Sequence, residues 1–156
     1  MSFTPKSLPK DAGVSLIEVL VAIVIFSFGM LGLAGLQTRL MTYSQSSLMR
    51  SQAMALTDDV LDRMRVDRQN AVAGNWNTNL DDAAASLPNG TNAYEFDLRG
   101  WKTEVETLLP AGRASILVDA AQNNLVTVTV EWNDSRGTDA ANTEDGLERF
   151  VTRSRL

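Results

Sequence analysis

"GVSLIEVLVAIVIFSFGMLGLAGLQ", residues 13–37, decides how the rest of the chain is read. Across the 23 residues from Val14 to Leu36, every position is apolar or glycine apart from Ser15, Glu18 and Ser27. As an α-helix, at about 1.5 Å per residue, the stretch reaches roughly 35 Å, enough to cross a hydrocarbon layer of about 30 Å. A carboxylate inside such a span opposes insertion by about 2.5–3.5 kcal/mol, so Glu18 calls for a partner or a task.

Composition limits the alternatives. The chain has 156 residues, and those beyond the apolar run suffice for one small domain and one core. It contains no cysteine and no histidine, which removes disulfides, thiolate chemistry, the commonest general base and the commonest zinc ligand. The formal charge of −5 disfavours nucleic acid and anionic lipid unless the cations gather into a patch. Arg149, Arg153 and Arg155 form the candidate patch, and a solvated strand face is the simpler reading of it.

Residues 1–37 admit three readings. The apolar run can be a permanent single-span anchor behind a polar flank. It can be a secretory signal cut after "GLA", before Gly35, although such cores normally hold about 7–15 residues and no glutamate. Or the chain can be cut after Gly13, so that the helix is kept and opens with a free amine at Val14. The third reading supplies Glu18 with a partner, an N-terminal amine of its own or of a neighbouring helix. Two opposite charges about 4 Å apart attract by roughly 4 kcal/mol at an effective dielectric of 20, before desolvation is deducted. The carboxylate also agrees in sign with the helix dipole, and paired in an apolar bundle it would set the axial stagger between helices.

Gly13 followed by "VSLIEVLVAIVIFSFGMLGLAGLQ" resembles the signal of type IV prepilins and type II secretion pseudopilins. In that family a prepilin peptidase cuts after the glycine and methylates the new amine, and the glutamate pairs with a neighbouring subunit's amine. By position, the resemblance implies cleavage between Gly13 and Val14, N-methylation of Val14 and an assembly role for Glu18. "GMLGLAGLQ" followed by "RSQAMALTDDVLDRMR" is similar to the PilV-type minor pilins. Departures from the family pattern are Val14 in place of the usual phenylalanine, Gly35 where many major pilins have a proline, and no C-terminal cysteine pair. Lys6 and Lys10 before the span are opposed by Asp11 and matched by Arg39 and Arg50 after it, so charge counting does not decide topology.

Gly29, Gly32 and Gly35 recur every three residues, a spacing that either permits close helix approach or softens the helix. Further on, Met49, Ala53, Leu56, Val60 and Met64 step along one helical face, predicting a helix to about Arg68. Asp59 with Arg63, and Arg63 with Asp67, are i,i+4 pairs on the opposite face; Asp58, Asp59 and Asp62 therefore read as a solvated face rather than a metal or catalytic site. Residues 70–96 are rich in Asn, Gly, Ala and Ser and read as a long connection, with Trp76 expected to tuck onto the helix. "LRGWKTEVETLLP" places Trp101, Val105, Leu108 and Leu109 on a helical stripe ended by Pro110. "RASILVD" and "NLVTVTVEW" alternate like strands around a turn at "AAQNN", with Thr127, Thr129 and Glu131 on the polar face. "LERFVTRSRL" is a last strand, and the acids of the loop before it lack regular calcium-loop spacing.

The expected fold is α+β and pilin-like, a long N-terminal helix packed on a small antiparallel sheet. The expected organisation is a leader at 1–13, a hydrophobic assembly helix at 14–37, its amphipathic continuation at 38–69 and a globular α+β domain at 70–156. The expected role is a minor pilin of a type IV pilus, held in the inner membrane with its globular domain periplasmic, then carried to the cell surface at the tip or at low copy in the fibre. The resemblance implies other minor pilins, the major pilin, prepilin peptidase and the assembly platform with its ATPase as partners, with a tip adhesin as a further candidate. A minor pseudopilin of a type II secretion system is the alternative. An anchored or secreted enzyme with a site in the 70–96 or 133–146 loops is disfavoured by the absent histidine and cysteine, and no cofactor or metal is expected. Loss of the leader would leave 12 basic and 18 acidic residues, a formal −6 that argues against nucleic acid as a partner.

Overall fold

The computed structural model describes residues 15–134 and 146–156. Helix α1 runs Leu16–Val66, α2 Arg68–Val72 and α3 Ala93–Leu108; strands β1 Arg113–Asp119, β2 Leu125–Asn133 and β3 Leu147–Arg155 come after them, with 3-10 turns at Ala84–Ser86 and Ala120–Gln122. Contacts divide the chain after Leu40 into two units.

In the first unit the described residues lie in the apolar half of α1 and the residue before it. The helix is long and apolar enough to cross a membrane, and none of its most apolar window is buried inside the molecule. Leu16, Phe26 and Phe28 are among its exposed large side chains. A stripe of that size does not persist in water, so lipid or other subunits must cover it. Its two internal hydroxyls are satisfied locally: Ser27 donates to the Ile23 carbonyl at 2.7 Å and Thr38 to that of Ala34 at 3.2 Å.

The second unit, from Met41, is built around the amphipathic half of α1. Ala53, Leu56, Val60 and Met64 are buried, as the spacing predicts, Met49 packs at the margin, and Leu61 joins the buried face. They meet Leu98, Trp101 and Val105 of α3, and the inward residues Ala114, Ile116 and Val118 of β1 and Val126, Val128, Val130 and Trp132 of β2. Each of the larger aliphatic side chains among them contributes about 1.5–3 kcal/mol by leaving water. The Trp101 indole also donates to the Leu56 carbonyl at 2.8 Å, so one bulky residue ties α3 to α1 by packing and by a hydrogen bond. Trp76 is fully buried, as expected for a residue folding back from the loop.

The sheet has the order β1-β2-β3, both pairs antiparallel. Asn123 and Asn124 close the first hairpin with φ of 60° and 55°, left-handed conformations that asparagine tolerates. Asp119 steadies the turn by accepting from the Ala121 N–H at 2.9 Å. At the junction of α3 and β1, a Cβ on Gly112 would lie 2.3 Å from the Val105 carbonyl oxygen, so only glycine lets the chain pass there.

Some expectations are corrected. The 70–96 connection already contains the first turn of α3, which starts at Ala93, where Glu95 reaches back to the Asn92 backbone N–H. Leu108 is half exposed, because the helix ends there and Leu109 turns inward in its place. Glu131 lies on the outer face of β2 yet is buried. Of the two helical ion pairs, Asp59 meets Arg63 at 2.7 Å, whereas Arg63 leans to Glu104 rather than Asp67, whose carboxylate accepts from the Asn70 side-chain amide. The fold is the α+β, pilin-like arrangement that was expected.

Candidate functional site

Glu18 stands in the first turn of α1, where the Ser15 carbonyl accepts from the Glu18 N–H at 3.0 Å and the Val19 N–H at 3.3 Å. The carboxylate is thus at the helix end whose unpaired N–H groups carry partial positive charge. Among the described residues it has no hydrogen-bond or ion-pair partner. With Val19, Ala22, Ile23 and Phe26 it lines a shallow apolar depression. Glu18, Ala22 and Phe26 fall at intervals of four and share one face, and the small Ala22 leaves room beside the carboxylate. An acid on an apolar face with no partner among the described residues is suited to a cation arriving from outside the helix.

Gly29, Gly32 and Gly35 lie further along the same helix, and a Cβ at any of them would meet nothing within 4 Å. Within one chain, then, they relieve no crowding. Gly13 and Val14, the expected cleavage and methylation positions, lie outside the described residues, as do most of the acids of the 133–146 loop considered for calcium.

Polar groups buried in the second unit form two further clusters. On the sheet's outer face, Arg113, Glu131 and Arg149 sit directly opposite one another on β1, β2 and β3. Arg149 bonds Glu131 at 2.6 and 2.9 Å, and Arg113 bonds its other oxygen. Burial alone would raise the Glu131 pKa, but the two guanidinium partners outweigh it and hold the carboxyl below its ordinary range. The register, rather than the local sequence, assembles this triad, and the signal that could have found it is an acid in one strand flanked at matching positions by arginines.

The second cluster surrounds a cavity of about 350 Å³ between residues 80–83, α3 and the start of β1. Lys102, buried on α3, donates to the carbonyls of Asn79 and Asp82. Burial lowers its pKa, against the attraction of Asp82, Glu106 and Asp81. Glu106 accepts from the Ala84 N–H at 2.6 Å and Asp82 from that of Asn79 at 2.7 Å, while Asp81 meets Arg113 at 3.2 Å. These charges hold a loop against a helix. Asp58, Asp59 and Asp62 belong to no metal-holding group among the described residues.

Comparison with known proteins bears on the first unit. Residues 8–34 match the family described as the prokaryotic N-terminal methylation motif. The match takes in Gly13, Val14, Glu18 and the first two of the three helix glycines, and supports the type IV prepilin and pseudopilin superfamily with its peptidase processing. It also implies dealings with prepilin peptidase and the assembly machinery, and with the inner membrane before assembly. No curated protein and no solved structure matches the chain.

Proposed function

We propose that the chain is a minor pilin of the PilV type. It is cleaved between Gly13 and Val14, methylated at Val14, and incorporated at the tip or at low copy in a type IV pilus. The observation that carries this reading is Glu18: an acid on an exposed apolar helix, without a partner among the described residues, inside a methylation motif. In the membrane the helix is covered by lipid. During assembly the apolar faces of neighbouring subunits replace lipid, and the Val14 amine of one subunit neutralises Glu18 of another. The charge pair is formed in register only, so it sets the stagger of the subunit.

The role is assembly rather than catalysis, supported by the absence of histidine and cysteine and by the structural use of the Lys102 and Glu131 clusters. Partners would be the major pilin, other minor pilins, the platform and a tip adhesin, with the globular domain periplasmic before assembly. A minor pseudopilin of type II secretion would use the same residues, and neighbouring genes separate the two.

The test is Glu18→Ala in the native host. Incorporation into sheared surface filaments should be lost while the protein accumulates, folded, in the membrane fraction; normal incorporation would overturn the reading. Intact mass should show a chain beginning at methylated Val14, whereas a start at Gly35 or Met1 would mean a secreted domain or a plain anchor.

A further inference from the structure

The two edges of the sheet are finished differently. Along β1, Thr78 exchanges both backbone hydrogen bonds with Ile116 at 3.0 Å, and the Asn77 side chain accepts from the Val118 N–H at 2.8 Å. That edge is covered. Along β3, among the described residues, the ladder to β2 is the strand's whole backbone-to-backbone pairing and the Ser154 hydroxyl reaches only the last carbonyl, that of Arg155, so alternate residues before it present an unpaired N–H and C=O.

The side chains beside that open edge are cationic. Arg149, Arg153 and Arg155 occupy three of the alternate exposed positions on the outer face of β3, with Val151 between the first two. Arg149 is engaged by Glu131, directly opposite on β2. Arg153 and Arg155 instead face Thr127 and Leu125, and among the described residues neither guanidinium has a hydrogen-bond or ion-pair partner. In an otherwise acidic molecule of formal charge −5, this strand carries an unneutralised positive row along an unpaired backbone.

We propose that the free edge of β3 is a docking site for an extended acidic segment of a partner protein, which adds a fourth strand and places carboxylates opposite Arg153 and Arg155. The molecule already contains the chemistry on its other side: Glu131 in a neighbouring strand meets Arg149 opposite it at 2.6 Å. Side chains directly opposite on adjacent antiparallel strands have Cβ atoms about 4.5–5.5 Å apart, within reach of such a pair. Main-chain bonds would supply the attachment and the arginine row the choice of sequence. A second copy is disfavoured as the occupant: two β3 strands pairing antiparallel about Val151 would set Arg149 opposite Arg153, like charge against like. The site lies wholly within the second unit and does not depend on the pilin reading.

The test uses the full chain in detergent micelles and a labelled, end-capped nine-residue peptide alternating valine and glutamate, followed by fluorescence anisotropy. The glutamate peptide should bind about tenfold or more tightly than its lysine counterpart. N-methylation at one set of alternate peptide residues should abolish binding, and at the other set spare it. The double variant Arg153→Glu and Arg155→Glu, at exposed positions, should reverse the preference toward the lysine peptide with tryptophan fluorescence unchanged. Equal binding of the two peptides, binding that survives N-methylation of both sets, or no binding at all would overturn the proposal; survival of N-methylation would show charge attraction without strand addition, and no binding would show that the arginines only protect the edge.

Discussion

Glu18 lies on an apolar helix and Glu131 is buried in the sheet, and the two acids differ in where their cations come from. Glu131 finds two arginines in its own sheet, whereas Glu18 finds none among the described residues. Replacing Glu131 with glutamine should destabilise the folded chain by about 1–3 kcal/mol, measured by denaturant unfolding, because both guanidiniums lose their shared charge while keeping partial access to water. Since the folded Glu131 carboxyl titrates below its ordinary value, its stabilisation is complete above the usual carboxylate range, near about pH 4.3, and fades as pH falls through the lower folded value. Glu131→Gln should therefore flatten the acid limb of stability against pH. Lys102→Met should cost about 1–3 kcal/mol, since the Asp82 carbonyl would lose its Lys102 donor and the Asn79 carbonyl would keep only the Asp82 N–H. Thermal unfolding of the full chain checks this.

At the scale of elements, α1 joins an exposed apolar half to a half with a buried face along one helix. Its amphipathic half was legible from the spacing of Met49, Ala53, Leu56, Val60 and Met64, because helical period alone assigns a core face. The glycines of its apolar half make a different kind of statement. Gly29→Ala, Gly32→Ala and Gly35→Ala together should leave the unfolding temperature of the second unit unchanged, since no Cβ would meet anything within 4 Å. Tryptophan fluorescence reports this cleanly, as Trp76, Trp101 and Trp132 all lie in the second unit. The start of α3 was less legible: Asn-Gly-Thr-Asn reads as a loop, and the helix begins right after it because Asn92 and Glu95 complete its first turn.

At the scale of the molecule, the division falls after Leu40, and among the described residues the core cluster and the side chains packed on it begin at Met49, inside the second unit. A chain beginning at Met41 should fold with the cooperative transition of the full-length protein, read by the same tryptophans. The sequence by itself determined whatever depends on neighbours along the chain: the apolar span, its single acid, the methylation motif around Gly13 and Val14, the core face of α1 and the alternation of β1 and β2. Each is set by local period or local chemistry, so no distant residue can change it. Only the tertiary structure decided that Glu131 is buried between Arg113 and Arg149, that Lys102 points into the protein to hold residues 79–82, and that one sheet edge is covered by Thr78 while the other, among the described residues, is open. These depend on strand register and on loops returning across tens of residues, and a charged residue in a sequence looks the same whether solvent or a buried partner awaits it.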